Sequence, residues 1–287
     1  MKARKDCLKC LRNLTLQTID NSISEKPSLK LQEAVLKKLL ITFLDQEFNT
    51  HKVPAAIFTK INRRIKKITL VNNPFKKRKA QEIENCRNII KNIKKNYLNT
   101  LEELLLLSVL GNALDFFKTI VNSNKEMSKK IKFTKADFKK FKYALKKAKK
   151  IIFFADNAGE VFFDVPLVKL LSKKARTIYV VKAKPVQNDL TLADLKKTLL
   201  INIIPEVITS GNDAVGIEMS TSSKKLKQEM KNCDIIIAKG MGYYETFSGL
   251  SNLAEFSGKI YYLLMAKCPP VAQSLGVKLN SYLFLKG

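Results

Sequence analysis

Two apolar runs in this 287-residue chain empty into residues that can hold a metal ion. Ile152-Phe153-Phe154 passes through Ala155 into Asp156, Asn157, Ala158, Gly159 and Glu160, and Ile178-Tyr179-Val180-Val181 leads through Pro185 to Asn188 and Asp189. Two buried strands would deliver Asp156, Asn157 and Asp189 to one edge of a sheet, and open α/β sheets bind ligands outside the carboxyl ends of their strands. All three side chains offer hard oxygen donors, the kind that magnesium and manganese prefer. The same residues have a second use. Asp, Asn and Gly favour strand-to-helix turns, and Asn157 with Glu160, like Thr191 with Asp194, has capping-box spacing. Caps and ligands can share a loop, so both readings stand.

Other strand ends point the same way. Ile235 to Ala238 runs into Lys239-Gly240-Met241-Gly242 and on to Glu245. A lysine followed by glycines that open a helix can hold a phosphate with an ammonium and backbone N–H groups. The lysine precedes the glycines, so this is not a Walker loop, and a surface lysine beside a turn fits equally well. Tyr261 to Met265 ends in Ala266-Lys267-Cys268, and Ile208 is followed by Ser210-Gly211-Asn212-Asp213.

The elements that must position these residues follow from the apolar spacing. The first half reads as helices: 29–48, 83–97 and 101–121, the last broken at Gly111-Asn112, then a basic amphipathic helix 138–150. After residue 150, strand-length apolar runs at 151–155, 177–181, 203–208, 234–238, 259–265 and 281–285 alternate with helices at 164–173, 191–201, 220–231, 245–256 and 270–276. Strands apolar on both faces mark a sheet covered on both sides. The expected architecture is α/β, a doubly wound, mostly parallel three-layer sheet over 149–287 with an all-helical N-terminal domain over 1–148. Pro166 suits a first helical turn, which would leave Asp156 to Asp164 as a loop.

Composition narrows the function. Hydrophobic residues make up 46% of the chain, enough for a packed core. The apolar stretch 104–110 is far below the ~20 residues of a membrane-spanning helix, and the start lacks a signal-peptide core, so a cytoplasmic protein with no membrane partner is expected. The net charge of +28 comes from 53 basic residues of which 7 are Arg. Nucleic-acid readers favour Arg forks on one face with aromatics interleaved; lysines spread along the whole length of the chain suit solvated helix faces and attract anionic ligands. Five cysteines, at 7, 10, 86, 233 and 268, form no even framework. Cys7 and Cys10 have half-zinc-site spacing with no second pair to complete it. His51 stands alone.

In order and spacing, several motifs together resemble one family. They are Asp156-Asn157-Ala158-Gly159-Glu160 with Phe163-Asp164, Pro185 to Asp189, Lys239-Gly240-Met241-Gly242 with Glu245-Thr246, and Ala266-Lys267-Cys268. In the first half, Cys7-x-x-Cys10, Asn73-Pro74-Phe75 with Lys76 or Lys79, and Gly111-Asn112 with Asp115-Phe116 extend the match to the full chain. The sequence is similar to the metal-dependent damage-control phosphatases, the subgroup with an N-terminal cysteine pair. The resemblance implies a divalent metal (Mn, Co, Ni or Mg) on Asp156, Asn157 and Asp189, and Lys239 on the substrate phosphate. It also implies supporting or substrate-side roles for Asn112, Asp115, Glu160, Glu245 and Lys267. Two positions depart from the family: Tyr243 stands where Asn is usual, and Asn73 where Asp is usual.

The implied activity is hydrolysis of a small phosphorylated metabolite such as a sugar phosphate, a nucleotide or a phosphopantetheine-like ester. The metal would polarise the phosphoryl oxygen, Lys239 would offset charge on the equatorial oxygens, and Asp189 or Glu160 would position the water. Two other readings compete. Methyl transfer to protein carboxylates lacks a glycine-rich first turn to hold a nucleotide-like cofactor. A non-enzymatic anion- or nucleic-acid-binding protein rests on charge alone.

Overall fold

Alternation along each central strand divides the molecule into layers. In the computed structural model, which describes residues 1–93, 100–113, 132–251 and 253–287, seven strands form one sheet. They are β1 (Lys135–Ala136), β2 (Lys150–Phe154), β3 (Arg176–Val181), β4 (Val207–Thr209), β5 (Ile235–Lys239), β6 (Ile260–Met265) and β7 (Tyr282–Lys286). The order is β1-β7-β6-β5-β2-β3-β4, with only β6 and β7 antiparallel. Chain order reverses between β2 and β5, so a crevice opens at their carboxyl ends.

Ile151, Phe153, Tyr179, Ile235 and Ile237 face one way, against α5 (Leu101–Gly111), α6 (Phe138–Lys147), α7 (Val161–Ser172) and α8 (Leu192–Lys197). Ile152, Phe154, Val180, Ile236 and Ala238 face the other, against α9 (Lys224–Lys231), α10 (Met241–Phe247) and α11 (Pro269–Leu275). Both faces are thus buried by helices, as a doubly wound sheet requires. A separate apolar core, with Leu11, Leu40, Phe58 and Ile61, joins α1 (Lys5–Glu25), α2 (Glu33–Glu47) and α3 (Pro54–Thr69). α4 (Lys76–Ile93) is tied to the sheet domain by Lys79, fully buried, whose ammonium lies 2.9 Å from Asp194 in the Thr191–Asp194 capping box.

Several boundaries differ from the spacing. The expected division at 148/149 falls inside the layered unit, because β1 already pairs with β7 and α5 packs on the sheet. Asp156 to Asp164 is not one long loop: a 3-10 turn at Ala158–Glu160 runs into α7, so Pro166 lies inside the helix. The stretch expected as helix 245–256 begins at Met241, since Gly240, at φ +87, lets the chain turn directly into α10. Phe141 and Leu145 are the buried stripe of α6, and its lysines are exposed. Among the described residues, no helix is long and apolar enough to cross a membrane.

Candidate active site

The β2 and β3 ends are knitted together before any side chain acts. Asn157 and Asp189 form an isolated antiparallel bridge, Leu190 N–H donates to the Asp156 carbonyl at 2.8 Å, and Ala158 N–H to the Asn188 carbonyl at 2.8 Å. Asp156, Asn157 and Asp189 therefore line one cavity of about 490 Å³ between the strand ends and the helices α1 and α3. Glu245 and Lys267 line it too. At the switch point, β5 contributes closeness: a Cβ on Gly240 would lie 1.9 Å from Asp156 Oδ2, so only glycine lets the carboxylate occupy this place.

Beneath the cavity floor lies a dense charge network. The Asn112 amide donates to Asp156 Oδ2 at 2.9 Å and to both Glu160 oxygens at 2.9 and 2.7 Å. Asn157 adds a 2.7 Å bond to Glu160. Lys239 lies 2.7 Å from Glu160 and 2.5 Å from Asp164, and Asp164 also accepts from Ser108 at 2.6 Å and Tyr179 at 2.8 Å. Burial and the adjacent Asp164 push the Tyr179 phenol far up, so it stays a donor. For Lys239, burial works against the charged form, but Asp164 and Glu160 outweigh it and raise the ammonium above the ordinary lysine value.

This arrangement changes three expected roles. Lys239 is fully buried, absent from the cavity lining and committed to two carboxylates, so it is a counter-ion under the floor rather than a wall group facing a phosphate. Asn112 and Glu160 are likewise buried below the lining. Asp115 and Phe116 lie outside the described residues. The Asp213 turn faces elsewhere: Asp213 pairs with Lys66 at 2.5 Å and Arg63 at 2.8 Å, pinning α3 to the loop after β4.

Two basic residues emerge only from the structure. Lys182, buried at the end of β3, donates to the Gly216 carbonyl at 2.6 Å and to Tyr243 OH at 3.0 Å, and lies 3.5 Å from Asp189 Oδ2. Burial alone would lower its ammonium; Tyr243 and Asp189 outweigh that and raise it. Arg78 lines the cavity and donates to Glu82 at 2.9 Å, and Glu82 also accepts from the Asn188 amide. Asp156, Glu160, Asp164 and Asp189 thus lie around two buried ammonium groups, Lys182 and Lys239.

Glu245 is tuned differently. Its Oε2 accepts from Ala55 N–H at 2.9 Å, and burial raises the carboxyl to about 7 despite that bond and the nearby N-terminal ammonium. The folded state therefore holds this proton more tightly than the unfolded chain. Stability falls as pH climbs from about 4.5 to about 7 and levels off above. Glu245→Gln is expected to remove that fall, so its melting temperature relative to wild type rises between pH 5 and pH 8. The gain at pH 8 is on the order of 2 kcal/mol. Thermal unfolding at both pH values checks the sign.

The sequence pattern of the damage-control phosphatase ARMT1-like domain matches residues 3–283. The chain belongs to this family. A damage-control phosphatase of Pyrococcus horikoshii is 28% identical over 283 residues, covering 96% of this chain and 95% of that one. An uncharacterised protein of Methanocaldococcus jannaschii is 30% identical over 302 residues, covering 100% and 96%. The crystal structure of a DUF89 family protein from Pyrococcus horikoshii matches with a TM-score of 0.87 at 27% identity, over 100% of this chain and 99% of that one. Within the damage-control phosphatase frame, the departure at Tyr243 is a matter of packing. Its ring lies against Phe154 and Phe247, and its hydroxyl meets Lys182 instead of the cavity. Asn73 sits in the turn before α4, where its carbonyl accepts from Lys76 N–H at 3.2 Å.

Proposed function

We propose that this protein is a metal-dependent phosphatase of a small phosphorylated metabolite, acting in metabolite damage control. The observation that carries the proposal is the gathering of Asp156, Asn157 and Asp189 at the switch point, on the wall of a cavity that also includes Arg78 and Lys267. The residues fit a hard divalent ion such as Mn, Co, Ni or Mg. Asp156, Asn157 and Asp189 bring hard oxygen donors, two of them carboxylates, to one wall. Among the described residues, the buried Asn112 Oδ1 atom has no hydrogen-bond partner, a further oxygen beside the same carboxylates. Among the described residues, no three His, Cys, Asp or Glu side chains gather as a metal group.

When bound, the ion would polarise a phosphoryl oxygen and offset its charge. The chain's own groups do the rest. Lys267 and Arg78 supply positive charge to the phosphoryl oxygens as the P–O bond breaks. We assign Asp189 to orient the attacking water, because Glu160 is engaged by Lys239, Asn112 and Asn157. Lys182, 3.5 Å from Asp189 Oδ2, holds that carboxylate in place. Phosphate release from a panel of sugar phosphates, nucleotides and phosphopantetheine, with and without added Mn²⁺, tests the reading. Metal-dependent turnover is expected; no release from any class, with metal demonstrably bound, would sink it.

A further inference from the structure

Beyond its acidic pole, the cavity is made of a different material. One stripe of α1 lines it: Cys7, Cys10, Leu11 and Leu14 follow at helical spacing. Phe58, Phe75, Val215 and Met241 line it from other elements. None of these side chains offers a strong hydrogen bond. The thiols do not change that. Burial pushes Cys7 and Cys268 upward, Cys268 to about 11, so they stay neutral and act as small apolar groups, while Cys10 is exposed.

Of the polar residues in the lining beyond the strand-end trio, Gln187 and Lys267 are half-buried, and the others are engaged or exposed. Arg78 and the Asn188 amide both bond to Glu82, and Glu245 accepts from Ala55 N–H. Asp6 and Gln17 are exposed, at the mouth. A phosphoryl group at the strand ends fills only a small part of about 490 Å³, and the remainder must receive the alcohol. A hydroxyl buried against such a wall without a partner costs roughly tenfold or more in affinity. A methylene in the same place gains roughly fourfold.

Building on the phosphatase reading, we propose that the substrate is a phosphate monoester of a largely apolar alcohol, with an alkyl or aryl arm lying along Leu11 and Leu14. Polyhydroxylated sugar phosphates are poor substrates. The wall selects against them by leaving their hydroxyls unpaired, while the acidic pole treats all phosphoryl groups alike.

The test separates binding from turnover. Calorimetry with Mn²⁺ present measures Kd for ethyl-, butyl- and hexylphosphonate and for the polyhydroxylated counterpart of hexylphosphonate. Affinity is expected to rise at least threefold per two added carbons, with hexylphosphonate at least thirtyfold tighter than its polyol counterpart. Leu14→Gln is expected to narrow that ratio at least fivefold. Equal or reversed affinities overturn the proposal. The matching phosphate esters are then assayed for phosphate release. Turnover in the same order upholds both readings. Alkyl-selective binding with no release from any ester upholds the apolar arm and sinks the phosphatase reading. Turnover that favours the polyol ester sinks the apolar arm alone.

Discussion

Asp156→Asn is expected to cut Mn²⁺-dependent phosphate release by roughly 10³, about 4 kcal/mol of transition-state stabilisation, without unfolding the protein. The substitution keeps the shape that Gly240 accommodates: the carboxylate lies where a Cβ on that glycine would be 1.9 Å away, and an amide fills the same space. What it removes is charge. One negative charge leaves the floor, and the oxygen that accepts from Asn112 at 2.9 Å no longer belongs to an anion. A second readout separates metal binding from chemistry. Ligand bound only to the folded state raises the melting temperature, so Mn²⁺ should stabilise the wild type and stabilise Asp156→Asn far less. Without metal, the variant should melt at or slightly above wild type, because one of several mutually repelling carboxylates has gone. Metal-dependent turnover within threefold of wild type would remove Asp156 from the site.

The residues of this cavity were legible wherever burial and chemistry coincide at a strand end. Ile152-Phe153-Phe154 and Ile235-Ile236-Ile237 are apolar on both faces because helices cover both, so their strands and the acids behind them read directly from the sequence. Asp156, Asn157, Asp189 and Lys267 were placed on that basis and Glu245 by the family resemblance, and all five line one cavity. The buried cations were not legible. Lys182 follows an apolar run as a solvated lysine would, and the groups that accept from its ammonium, Tyr243 and Gly216, are distant in sequence. Lys79 is hidden within Lys76-Lys77-Arg78-Lys79: Lys76 and Lys77 are exposed, Lys79 meets Asp194, and Arg78 reaches the cavity. Local pattern records which residue types are present. Which of four adjacent basic side chains is buried depends on what α4 packs against.

The same distinction governs Lys239, for which the structure implies a different experiment from the sequence. Lys239→Met is expected to destabilise the protein by about 3–5 kcal/mol, a fall in melting temperature on the order of 10 °C. Its ammonium is fully buried between Glu160 and Asp164, and removing it leaves both carboxylates in low dielectric without their cation. Ser108 and Tyr179 still donate to Asp164, and Asn112 and Asn157 to Glu160. Neutral donors do not replace a positive charge, so most of the loss should remain. A partner substitution isolates the cause. Lys239→Met with Asp164→Asn removes one stranded charge while keeping a hydrogen-bonding side chain beside Ser108 and Tyr179. It should recover at least half of the lost stability. A phosphate-contacting lysine would behave otherwise: Lys239→Met would leave thermal unfolding unchanged and raise KM, and Asp164→Asn would rescue nothing. Thermal melts of the two variants beside wild type, with kcat and KM on one turned-over ester, therefore distinguish a counter-ion under the floor from a substrate contact.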